Sequence, residues 1–270
     1  MNRHPLSPVT DEDREAYARD GVVCLRAMFD ADWIDFMRDW VETAMREPGP
    51  HAEEYGSEGA EGRFFGDLDI ARRHDGFWRF VHESPAAEIA GSIMGSEKAN
   101  FFYDQLLVKE PGASAKTPWH QDQPYWAVAG RQVCSIWLPF DPVPESSCVE
   151  YVAGSHDWEA YSPYHFADGT PYEGTDLPPI PDIDAEREKH RILRFSLEPG
   201  DCLVFQAMIV HGAPGNSSTH RRRALATRWT GDDARYCLRP GEIAIPTRDP
   251  GLSHGDPMEC EDFPVIWRRD

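Results

Sequence analysis

The sequence predicts a mainly β protein, an antiparallel sandwich or jelly roll preceded by a helical first third. Three observations carry that expectation. After residue 100 come five short β-prone segments, Phe101–Val108, Gln132–Leu138, Ile192–Leu197, Cys202–Val210 and Ala224–Trp229, punctuated by Pro, Gly and Asp. Before residue 95 the apolar side chains recur with helical period instead. A chain of 270 residues, 40% apolar and 11% aromatic, can also build a sizeable core. All-β units commonly reach roughly 200–250 residues. Residues 1–270 are therefore read as one domain, with a helical part over about 10–95 and a strand-rich core over about 100–235.

Thr10-Asp11-Glu12-Asp13 has capping-box spacing and Gly21 is a stop, which predicts a helix over about 11–19. Val22-Val23-Cys24-Leu25 reads as a buried strand. Asp30 caps a second helix, whose buried face is Trp33, Phe36, Met37, Trp40, Val41, Ala44 and Met45. Residues 49–62, rich in Gly, Glu and Pro, read as a mobile loop. Ser84-Pro85 is an N-cap followed by Pro at the first helical position; Ile89, Ala90, Ile93 and Met94 form that helix's apolar face, and Gly95 ends it. Glu198-Pro199-Gly200-Asp201 is a tight turn between strands. Residues 162–190 look like a long insertion, and such loops in compact domains are often lids or binding loops.

Charge narrows the function. Acids number 47 and Lys plus Arg 27, a net charge of −20. Such a surface repels phosphate backbones and anionic lipid, which argues against nucleic-acid and membrane-surface partners. It mildly favours a neutral or cationic metabolite over a polyanion. The longest apolar stretch, near Cys202–Val210, is far short of the ~20 residues of a membrane span. No apolar segment follows the N-terminal residues, so no secretion signal is expected. The six cysteines (24, 134, 148, 202, 237, 260) form no CxxC pair and read as reduced packing residues of a cytoplasmic protein.

Three features bear on chemistry. In Trp119-His120-Gln121-Asp122, His120 and Asp122 would share one face of a strand. They would supply half of a metal site, although HxD triplets also arise by chance. His211 lies 91 residues downstream, at the end of the apolar segment Cys202–Val210, where it is either a satisfied core histidine or a ligand at the mouth of a barrel. Arg222 follows eleven residues later. If it faces inward with Ala224 and Ala226, Arg221 and Arg223 face outward, and a buried guanidinium then calls for a carboxylate. Two His and one carboxylate form the facial triad of non-haem Fe(II) oxygenases.

As an ordered set these residues resemble the phytanoyl-CoA dioxygenase family. Pro118–Tyr125 is similar to its HQD segment, and His211-Gly212-Ala213-Pro214-Gly215-Asn216, with Arg222, to its distal His-Gly…Asn…Arg segment. Val152-Ala153-Gly154-Ser155-His156 is similar to its Pro-Gly-Ser-His turn, and Glu198–Asp201 to its Pro-Gly-Asp turn. The resemblance runs over about 10–235. It implies a double-stranded β-helix with N-terminal helices packed outside. His120, Asp122 and His211 would bind Fe(II), and Arg222 would hold the far carboxylate of 2-oxoglutarate. Trp137 would line the 2-oxoglutarate pocket, with Gln105 and Lys109 as weaker candidates. Fe(II), 2-oxoglutarate and O2 would hydroxylate an unactivated C–H of a small metabolite, releasing succinate and CO2. Ala153 stands where Pro is usual, and Ala213 where some members place a co-substrate-binding Ser. Asp122 is present, which argues against a halogenase.

Tyr125 and Trp126 border the substrate or belong to the core. Tyr161, Tyr164, His165 and Tyr172 surround the suspected lid. Two rival readings remain open: a cupin-like hydrolase or isomerase holding another divalent metal, and a non-catalytic binder of a small ligand.

Overall fold

The computed structural model describes residues 1–55, 62–166, 168–241 and 243–269. In it Thr10 opens helix α1 (Asp11–Asp20) with a complete capping box: Thr10 Oγ1 accepts from Asp13 N at 3.1 Å, and the Asp13 carboxylate accepts from Thr10 N at 2.9 Å. Gly21 closes it at φ 80°, and a Cβ there would meet the His156 ring at 2.5 Å. Strand β1 (Val22–Leu25) follows. Asp30 caps α2 (Ala31–Arg46) through Trp33 N at 2.9 Å. The buried face of α2 is Trp33, Ile34, Met37, Val41 and Ala44, with Phe36, Trp40 and Met45 half-buried at its edges.

Between α2 and residue 95 the fold holds more than the sequence reading found. Of the stretch 49–62, read as a mobile loop, Glu53–Tyr55 form β2, paired with β3 (Phe64–Leu68); residues 56–61 lie outside the described residues. Helix α3 (Asp75–Glu83) went unread because its N-cap, His74, makes no side-chain cap bond. Helix α4 (Ala86–Met94) has Pro85 itself at the cap position, while Ser84 Oγ accepts from Ala86 N at 3.3 Å. Gly95 ends α4 at φ 64°.

The strands that follow are β4 (Lys98–Lys109), β5 (Thr117–His120), β6 (Val128–Ala129), β7 (Val133–Pro139), β8 (Glu150–Val152), β9 (Ile192–Leu193), β10 (Cys202–Gln206), β11 (His211–Ala213), β12 (Arg222–Thr230), β13 (Arg235–Tyr236) and β14 (Val265–Arg268). A large antiparallel sheet runs β1-β10-β7-β12-β4-β3-β2, with β14 also on β4. A smaller one runs β5-β11-β8-β9, and β6 pairs with β13. The result is a double-stranded β-helix with the helices on its outside.

Two strands are shorter than their apolar runs. The segment Cys202–Val210 leaves the large sheet after Gln206, turns through an Ile209 N to Gln206 O bond of 3.0 Å, and enters the small sheet at His211. Ile192–Leu197 pairs with β8 only at Ile192 and Leu193, because β8 is three residues long; Leu197 instead bridges Val143.

Strand alternation divides the core. One face of the large sheet, with Val23, Leu25, Ile136, Leu138, Val204, Leu225 and Trp229, packs against α1–α4. The opposite face, with Val22, Trp137, Leu203, Phe205, Ala224 and Ala226, meets Tyr151 and Val149 around β8. Each large apolar side chain so buried contributes about 1.5–3 kcal/mol. Among the described residues no helix is long and apolar enough to cross a membrane.

Candidate metal centre

His120 is the last residue of β5 and His211 the first of β11, and the antiparallel register sets them directly opposite each other. Cross-strand partners project to the same face, so the two rings lie with centroids 4.2 Å apart. Asp122 does not share their strand. It sits in a helical turn at φ −72°, ψ −47°, which opens the 3-10 turn Gln123–Tyr125. The turn, rather than strand alternation, brings its carboxylate back to the rings.

The hydrogen bonds around the triad fix its chemistry. Nδ1–H of His120 donates to Pro118 O at 2.9 Å and that of His211 to Ile209 O at 3.1 Å. The proton placed there leaves each Nε2 with its lone pair directed inward. Asp122 Oδ1 lies 3.4 Å from His120 Nε2 and 3.9 Å from His211 Nε2. Ser135 Oγ donates to the other carboxylate oxygen at 3.2 Å. The Ser155 hydroxyl donates to Val152 O at 2.7 Å and accepts from Val210 N at 2.8 Å, pinning the residue before His211.

Burial, with the neighbouring His120, lowers the His211 pKa to about 4, so its ring is neutral at pH 7. Burial would raise the Asp122 carboxyl, but His120, His211 and Arg228 around it prevail and hold it well below the usual carboxylate range. Three lone-pair donors thus converge within 4.8 Å of one another, all buried. Such a set is self-repelling unless a cation sits among them. Two imidazoles and one carboxylate suit Fe(II).

Arg222 faces inward with Ala224 and Ala226, the condition under which alternation turns Arg221 and Arg223 outward. Arg221 instead pairs with Glu42 and Glu110, and Arg223 with Glu42 and Asp141, on the outer side. Buried Arg222 donates to Ser147 O and has no carboxylate within ion-pair distance among the described residues. Burial lowers its pKa to about 10, which leaves it protonated at neutral pH. It lines a cavity of about 760 Å³ that also reaches the triad.

A sequence model of phytanoyl-CoA dioxygenase (PhyH) matches residues 17–224. The chain belongs to the phytanoyl-CoA dioxygenase family. It is an enzyme of the Fe(II)/2-oxoglutarate-dependent oxygenase superfamily, using iron, 2-oxoglutarate and O2. Among its relatives, the multifunctional dioxygenase prhA of Penicillium brasilianum is 25% identical over 240 residues, 84% of this chain and 74% of that protein. The 2-oxoglutarate-dependent carbocyclase SnoK from nogalamycin biosynthesis superposes with TM-score 0.77 at 21% identity, covering 99% of this chain and 100% of its own. The epimerase SnoN, solved with Fe3+, α-ketoglutarate and nogalamycin RO, gives TM-score 0.74 at 22% identity, over 95% and 98%.

In this member of the phytanoyl-CoA dioxygenase family, Trp137 and Gln105 line the same cavity as Arg222. Lys109 does not. Its Nζ donates to Ala115 O at 2.9 Å and Pro214 O at 3.0 Å and lies 4.3 Å from the centre of the Phe64 ring. Asn216 braces the same corner, donating to Lys109 O and His220 O. From the 162–190 insertion, Tyr164, His165, Phe166 and Tyr172 reach the cavity wall, whereas Tyr161 packs beside Val152 and Val210. Phe166 stands edge-on to His120 at 4.8 Å, and Tyr164 OH donates to Trp119 O at 2.5 Å. Tyr125 and Trp126 also line the cavity.

Sequence reasoning missed Ser135, Phe166 and Arg228. Arg228 carries the one signal that could have been used: it has the parity of Arg222, Ala224 and Ala226 on β12.

Proposed function

We propose that His120, Asp122 and His211 hold Fe(II), that Arg222 holds the far carboxylate of 2-oxoglutarate, and that the enzyme hydroxylates an unactivated C–H of a small metabolite, releasing succinate and CO2. One observation carries this reading: a buried triad of inward lone pairs and a buried arginine without a carboxylate share a single cavity. A hydrolase or isomerase holding another divalent metal has no use for that second feature. When bound, the iron and its 2-oxo acid would activate O2, the oxidant, one oxygen atom of which goes to succinate and the other to the C–H bond. The chain does the rest by position. Nδ1–H bonds to Pro118 and Ile209 keep both rings aimed inward. Ser135 orients the carboxylate. Trp137, Ala224 and Ala226 line the cavity together with Arg222, and the two small side chains leave room there for the diacid. The aromatic insertion over His120 limits water at the reacting end. Six free cysteines support a cytoplasmic setting.

Anaerobic addition of Fe(II) and 2-oxoglutarate to metal-free protein tests the assignment through the charge-transfer absorption of the chelated 2-oxo acid, which needs no prime substrate. The band should appear and should demand far more 2-oxoglutarate in Arg222→Ala. Tight Zn(II) binding with no such band would instead favour the hydrolase or binding-protein readings. Product mass then separates hydroxylation, one oxygen heavier, from desaturation or epimerisation.

A further inference from the structure

On the inner face of the large sheet a second guanidinium lies six residues, about 20 Å of strand, from Arg222. Arg228 is 4% exposed and lines the cavity. It is held rigidly: Nη1 donates to Ala226 O at 2.8 Å, Nη2 donates to Gln105 Oε1 at 2.9 Å, and the group lies 4.9 Å from the centre of the Tyr103 ring. Those bonds use two of its five N–H donors. The Nε–H is buried with no acceptor, and no carboxylate lies within ion-pair distance among the described residues. Its register partner on β7 is Ser135, the residue that orients Asp122, so Arg228 stands at the metal end of the cavity.

A buried cation needs an anion. The charges already present do not provide one. A divalent metal, ionised Asp122, a dianionic co-substrate and Arg222 sum to zero. Lys109 adds nothing at pH 7, because burial lowers its pKa to about 6. Asp104, the other buried carboxyl near Arg228, accepts from Ala71 N beyond ion-pair distance of the guanidinium and is pushed up to about 7 by burial, and Glu53, Glu54 and Lys116 on the cavity wall are solvent-exposed. Arg228 is therefore surplus positive charge beside the reacting end.

We infer that Arg228, positioned by Gln105 over Tyr103, is an anion-binding subsite for the prime substrate, which carries a carboxylate or comparable oxyanion on an apolar, ring-bearing body. The inference rests on the assignment of the co-substrate's carboxylates to the metal and Arg222. The body's partners are Tyr125, Trp126, Phe166 and Tyr172 on the same wall. A cavity of about 760 Å³ exceeds what a five-carbon diacid occupies and falls within the roughly 300–1,000 Å³ of sites for drug-sized ligands. The chain's charge of −20 favours a neutral or cationic substrate; the cavity's local charge reverses that preference.

The test is anaerobic calorimetry on protein loaded with Fe(II) and 2-oxoglutarate, using 2-naphthoate and its neutral isostere 2-naphthamide as probes. Wild type should bind the carboxylate about tenfold or more tightly than the amide. In Arg228→Gln that ratio should fall to about one while 2-oxoglutarate affinity is kept. Gln105→Glu, which leaves Arg228 in place and gives it an internal carboxylate, should abolish the preference too, and it covers the case in which Arg228→Gln does not fold. Equal binding of the two probes to wild type, no saturable binding of 2-naphthoate, or a preference surviving in either variant overturns the inference. A parallel loss of 2-oxoglutarate affinity in Arg228→Gln also overturns it, by giving Arg228 to the co-substrate. Failure of wild type to bind 2-oxoglutarate at all would instead strike the underlying assignment.

Discussion

Strand β12 presents two surfaces from alternate residues. Leu225, Thr227 and Trp229 face the helices, where the Trp229 indole stacks edge-on with Phe101 and donates to Thr227. Arg222, Ala224, Ala226 and Arg228 face the cavity, two cations at the ends and two small residues between. The outer set shields apolar surface from water, and the inner set leaves space and charge unmatched. Stability and chemistry are thus separated by a single residue of register, and the apolar outer face offsets the cost of burying guanidinium groups on the inner one.

That division can be broken experimentally. The largest effect should come from Asp122→Ala: Fe(II)/2-oxoglutarate absorption and succinate formation should vanish, with cooperative thermal unfolding retained. Turnover surviving intact would mean that the metal is held elsewhere. Trp229→Ala acts on the opposite face and should lose about 3–5 kcal/mol in denaturant unfolding, while Fe(II) affinity of the folded protein stays near wild type. If affinity fell and stability did not, the two faces would not divide as described. Ser135→Ala removes only the donor to Asp122 and should weaken Fe(II) binding about 10–100-fold at near-native stability, read by metal titration.

Lys109 sharpens the comparison, because it shares the inner face with Arg222 yet is not on the wall of that cavity. Burial first, and Arg222 second, lower its pKa to about 6. An unfolded lysine titrates near about 10.4. Between those values the unfolded chain holds a proton that the folded one lacks, so stability rises with pH, by about 1.4 kcal/mol per unit at most. Lys109→Met should lack that increment, and unfolding curves at about pH 7 and 9 would reveal it as a difference in slope. Parallel slopes would mean that Lys109 stays protonated in its carbonyl cradle.

Where a local chemical signal existed, the sequence could be read. Thr10, Asp30, Gly21 and Gly95 mark real helix ends because each acts on its own neighbours. The parity of Arg222 with Ala224 and Ala226 correctly turned Arg221 and Arg223 outward. Helix α3 lacks a cap bond, and β2 and β3 depend on a ladder with β4, so nothing local announces them. The apolar run Cys202–Val210 concealed a change of sheet at Gln206, since the chain is buried both in β10 and where it enters β11. Asp122 reached the triad by a turn that HxD spacing alone does not reveal. Phe166 could not be placed because a long insertion folds against surfaces far away in the chain.

The pairing of His120 with His211 across one ladder has a consequence for how such a protein can change. Separation between the two ligands is a matter of strand register and is indifferent to how much chain runs between them. Insertions or deletions after β8 and before β9 alter the wall over His120 without touching the ladder. Evolution, or a protein engineer, can therefore reshape that wall by editing loop length while the spacing of the two histidines proposed to hold iron stays fixed.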